Sequence, residues 1–72
     1  MDAAEIAVYD RREHGFVMVT RQEAIDGIMR RAATMRPGEP ARAVAEATAL
    51  ALAAYRAVDW LAVANMYDPP AS

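Results

Sequence analysis

The chain contains no cysteine and no lysine, one histidine (His14), one serine (Ser72) and three well-separated glycines at 15, 27 and 38. Each scarcity excludes something. Without cysteine there is no disulfide framework and no thiolate ligand, and a lone imidazole with no His, Asp and Glu at ligand spacing defines no metal site. Nucleophilic catalysis needs a hydroxyl or thiol beside an oriented base. Here Ser72 stands far along the chain from His14, and His14 next to Glu13 reads as a solvated turn residue. Isolated glycines make no phosphate-cradling loop. The longest uncharged stretch, Ala47 to Tyr55, is well short of the roughly 20 residues that span a bilayer. The reading is a chain that is not an enzyme, takes no cofactor or metal and has no membrane span, and nothing in it identifies a small-molecule substrate. Asp2 and Glu5 stand where a secretory signal needs basic residues, so a cytoplasmic location is expected.

What is present is small in volume. At 72 residues the chain forms one domain, and a domain of this size buries only about 60% of the surface its unfolded chain exposes. More than half of the residues are apolar, but a quarter of the chain is alanine, which favours slender helices that approach closely. With disulfides and metals excluded, association is the remaining way to enlarge the core, and a protein partner or a homodimer is expected. All eight basic residues are arginine, a codon signature of a GC-rich bacterium or of a phage of one. The formal charge of -2 is uneven. Six of the arginines lie in residues 1 to 36 among six acids, so neither half is basic enough to make nucleic acid the expected partner.

Thr20-Arg21-Gln22-Glu23 has the spacing of a capping box, in which the threonine and glutamate side chains satisfy each other's orphan amides. An amphipathic helix over about 20–35 comes next, with Ile25, Ile28, Met29, Ala32 and Met35 at helical spacing and Gly27 as a weak spot. Pro37-Gly38 ends it, and Pro40 suits the first position of the next helix. From there to Asp68-Pro69-Pro70 no breaker intervenes, so one long alanine-rich helix over about 40–67 is predicted. Residues 1–67 form the expected single domain, with a disordered tail over 68–72. The first 19 residues fit a β-hairpin of strands about 5–9 and 16–20, or a helix closed by Gly15. The hairpin is preferred, because Phe16-Val17-Met18-Val19 reads as a strand that needs a partner. The expected class is a small α+β fold, with an all-α three-helix domain as the alternative.

Large residues point in nearly all directions around the predicted rod, more than 72 residues can cover, and an apolar circumference of that kind is normally surrounded. Arg42, Arg56, Trp60, Val63 and Tyr67 share one side of it, with Arg56 four residues before Trp60 and in reach of a cation-π contact. These five are the candidate partner-binding residues, since Trp, Tyr and Arg are enriched where binding energy concentrates. The function expected is protein binding by occupation of a surface. A concrete version is a phage or mobile-element accessory protein that inhibits a host complex, such as an anti-CRISPR protein, since small net-acidic proteins are common among such accessory genes. Asp2, Glu5, Asp10 and Glu13 would then mimic phosphates toward a basic groove. The alternative is a dimeric DNA-binding regulator. A strand followed by two helices resembles a ribbon-helix-helix repressor or antitoxin, with Phe16 to Thr20 as the ribbon, and Arg11, Arg12, Arg30 and Arg31 would then contact nucleic acid. The chain departs from that family in its apolar ribbon and in a second helix about twice too long.

Overall fold

The computed structural model describes residues 4–71 and shows a small α+β fold, an antiparallel hairpin followed by three helices. Strand β1 (Ile6–Asp10) pairs with β2 (Gly15–Val19) from Ile6 opposite Val19 to Asp10 opposite Gly15. Asp10 shapes the connecting turn, its carboxylate accepting from the backbone N–H of Arg12 at 2.8 Å and of Glu13 at 3.2 Å. Alternation then sorts the side chains. Ile6, Val8 and Val19 are buried and Val17 packs against them, while Ala7, Tyr9, Phe16 and Met18 face outward.

Helix α1 (Arg21–Ala33) begins at the expected capping box: Glu23 N–H donates to the Thr20 hydroxyl at 3.1 Å, and Thr20 N–H donates to the Glu23 carboxylate at 2.8 Å. Its buried face is Ala24, Gly27, Ile28 and Ala32, rotated from the expected stripe so that Met29 is exposed. Gly27 is a point of contact and not a weak spot. The Tyr67 ring lies against it, and a Cβ there would overlap that ring and come within 3.0 Å of the Asp68 carbonyl oxygen. Helix α2 (Pro40–Ala53) starts with Pro40 and buries Ala45, Ala49 and Leu52 against α1, the small side chains letting the two axes approach.

The single helix expected over 40–67 is two helices. α2 stops at Ala53, and α3 (Trp60–Met66) turns back to pack on β1 and α1. Neither glycine nor proline makes this break. Tyr55 N–H donates to the Leu52 carbonyl and Arg56 N–H to the Ala51 carbonyl, the paired bonds of a Schellman cap, with Tyr55 at φ +56° where glycine is usual. A left-handed residue other than glycine costs about 1–2 kcal/mol. Arg21 offsets that cost: its Nη1 donates to the Leu52 carbonyl at 3.0 Å, and its guanidinium carbon lies 4.2 Å from the centre of the Tyr55 ring. On the far side Asp59 caps α3, accepting from Leu61 N–H at 3.0 Å and Ala62 N–H at 3.3 Å.

The bend puts Val63, Ala64 and Tyr67 into the core formed by β1, α1 and α2. It also moves the expected start of the tail, because Asp68 is buried and bonded. No helix among the described residues is long and apolar enough to cross a membrane, and no group of three or more His, Cys, Asp and Glu among them could hold a metal ion.

Candidate interaction surface

Folding α3 back covers part of the apolar circumference that the sequence displays, but not all of it. Phe16 is 65% exposed, Trp60 53% and Leu61 67%. These three, with Ala7, line a groove of about 410 Å³ between β1 and the start of α3. The outer face of the hairpin continues it. Phe16 meets Tyr9 edge to face, centroids 5.6 Å apart at 80°, and Met18 is exposed opposite Ala7. Among the described residues Glu5 is the one charged residue lining the groove, and its carboxylate lies 3.6 Å from Arg21. Two aromatic rings and a leucine on a largely uncharged concavity make a surface suited to an apolar partner.

Two other concavities are apolar but carry no aromatic ring. One of about 370 Å³ runs along the α1–α2 seam past Ile25, Met29 and Leu50; another of about 440 Å³ lies between Met35, Val44 and Met66, with Arg31 at its margin. The groove beside Trp60 is distinguished by its side chains and not by its volume.

The five residues expected to share a binding face are dispersed by the bend. Trp60 is exposed, but Val63 is fully buried and Tyr67 is 7% exposed. Burial pushes the Tyr67 phenol above its ordinary value, an effect that the adjacent Arg30 guanidinium partly offsets. Arg42 is half-buried on α2, donating to the Met35 carbonyl at 2.7 Å and lying 3.5 Å from Glu46. Arg56 is exposed in the connection between α2 and α3, and the cation-π contact among the described residues is Arg21 on Tyr55, not Arg56 on Trp60. The real clustering is of Trp60 with Leu61, Phe16 and Ala7. Phe16 and Met18 were readable from strand alternation, since a strand with Val17 and Val19 inward must turn them outward.

The arginines considered for nucleic acid divide into two pairs. Arg11 bonds the Asp68 carboxylate, and Arg30 donates to the Asp68 carbonyl through Nε at 3.1 Å and Nη2 at 2.8 Å. Arg12 is exposed and Arg31 half-buried. Of the carboxylates considered as phosphate mimics, Asp10 serves the hairpin turn, Glu5 faces Arg21, Glu13 is exposed, and Asp2 lies outside the described residues. Ser72 also lies outside them.

Neither a protein-family model, nor a curated protein, nor a solved structure matches the chain.

Proposed function

We propose that the protein is a non-catalytic binding protein that works by occupying an apolar surface of a protein partner, with the groove lined by Phe16, Trp60 and Leu61 as its contact face. The observation that carries this reading is the exposure of these three side chains together at one groove of a domain this small. Burying them on a partner removes apolar area that the chain's own fold leaves in water, worth about 25 cal/mol per Å² before the costs of association. The partner is a larger host complex or a second copy of the chain. An accessory protein of a phage or mobile element that inhibits a host complex, in the manner of anti-CRISPR proteins, fits its size and composition. The test is capture of a partner by the wild-type chain and by Trp60→Ala/Leu61→Ser, with solution mass from light scattering. Retained capture or dimer mass in that double variant, with unchanged helix content, removes the groove from the proposal.

A small dimeric DNA-binding regulator is the second reading. It is favoured by one observation: with the break at Ala53, α1 and α2 have 13 and 14 residues, so the second helix no longer exceeds the ribbon-helix-helix pattern. Against it stand the outward Phe16 and Met18 and the commitment of Arg11 and Arg30 to Asp68. Duplex-DNA binding that falls steeply with salt and weakens in Arg12→Ala/Arg31→Ala would establish this reading in place of the first.

A further inference from the structure

Residues 67 and 68 do more than end a helix. α3 has seven residues, fewer than a helix needs to persist alone in water. Before it, among the described residues, the last backbone bond of the bend is Arg56 to Ala51, and the next backbone amide bonded to a backbone carbonyl is Val63 to Asp59. α3 is therefore held by packing and by its C-terminal neighbours, Tyr67 and Asp68. Asp68 is tied to two elements at once. Its N–H donates to the Gly27 carbonyl at 3.2 Å, its carbonyl accepts both Arg30 bonds, and its carboxylate accepts from Arg11 in the hairpin turn. Beside it the Tyr67 ring fills the notch that Gly27 leaves on α1.

We infer that residues 56–68 form a strap that opens as a unit, hinged at the Tyr55 bend and latched by Asp68, while the α1–α2 pair stays folded. Its detachment leaves intact the contacts among Ala24, Ile28, Ala32, Ala45, Ala49 and Leu52, none of which belongs to α3. It removes Val63 and Tyr67 from β1 and α1, and it carries Trp60 and Leu61 away from Phe16, dismantling the groove. The latch is sensitive to salt because the Arg11 side chain is 61% exposed, so its attraction to Asp68 is screened. The bearing of the strap on binding rests on the surface reading above; its opening does not.

Native-state hydrogen exchange on the full chain tests this directly. The Val63 to Met66 amides are expected to exchange about tenfold or more faster than those of Ile28, Ala32, Ala49 and Leu52. Asp68→Asn should speed the α3 amides by about a further tenfold and leave the α1–α2 amides unchanged. Arg11→Gln, which leaves both Arg30 bonds in place, is the milder variant should Asp68→Asn not fold, and it should act in the same direction. Salt at about 1 M should speed α3 exchange in the wild type and have less effect in Arg11→Gln. Exchange of α3 and the α1–α2 pair at one common rate overturns the inference, as do latch variants that leave α3 unchanged or move all amides together. If exchange separates as described but Trp60→Ala/Leu61→Ser keeps its partner, the surface reading fails and the strap stands. If the partner is lost but exchange is uniform, the reverse holds.

Discussion

The α1–α2 pair and the hairpin–α3 pair are both rich in apolar residues and use them differently. In the first, alanine and a few large residues meet across a close seam, and Ile28 and Leu52 are completely buried. In the second, each element is apolar on two sides. The hairpin turns Ile6 and Val8 inward but Phe16 and Met18 outward, and α3 buries Val63 while displaying Trp60 and Leu61. A short element apolar on both sides cannot satisfy both within one small domain. The first pair also leaves Met29, Val44 and Leu50 in water, but of the two pairs only the second exposes aromatic rings, Tyr9, Phe16 and Trp60, and its last helix is the one held by a few polar ties.

The sharpest way to break that comparison is to remove Tyr67, the largest buried side chain of the C-terminal segment and the one seated on Gly27 of α1. Tyr67→Ala should cost about 3–5 kcal/mol in urea unfolding, enough to leave α3 undocked in a domain of this size. Gly27→Ala comes next. Alanine is the better helix former by about 1 kcal/mol, yet here it should destabilise by about 1–3 kcal/mol, because the new Cβ meets the Tyr67 ring. Arg21→Ala removes a bond to the α2 terminus and the cover over Tyr55, and about 1–2 kcal/mol should be lost by the same measurement. Alkaline pH acts on the joint as well. The raised Tyr67 pKa means the folded state favours the neutral phenol, so its contribution is fully present below about pH 10 and is lost as pH rises through the folded value. As pH rises above about 10, urea midpoints should fall less steeply in Tyr67→Phe than in the wild type. Smallest of all, Trp60→Ala should shift stability by about 0.5 kcal/mol or less, as expected of a surface side chain, while abolishing capture of a partner. A large loss of stability there would assign Trp60 to the core.

Much of the fold could be read from local chemistry. Thr20 and Glu23 announced α1, Pro40 announced α2, and the run Phe16 to Val19, a strand in need of a partner, announced the hairpin, each signal lying within a few residues of its effect. What could not be read depends on distant partners. The bend at Tyr55 has no breaker in it and depends on Arg21, 34 positions earlier, and the reason for Gly27 is Tyr67, 40 positions later. One local clue was available: Asp59 in the middle of an apolar segment is a better N-cap than a helix-interior residue. The site was partly legible for the same reason. Trp60 could be chosen by residue type, but its neighbours Ala7 and Phe16 come from the two strands of a hairpin to which it is brought only by the bend.

That bend also shows a direction being set from a distance. Residues 54–59 contain neither glycine nor proline, and the Leu52 carbonyl and the Tyr55 ring at the turn are both held by Arg21. One guanidinium on the first helix is thus the template on which the course of the last segment is laid.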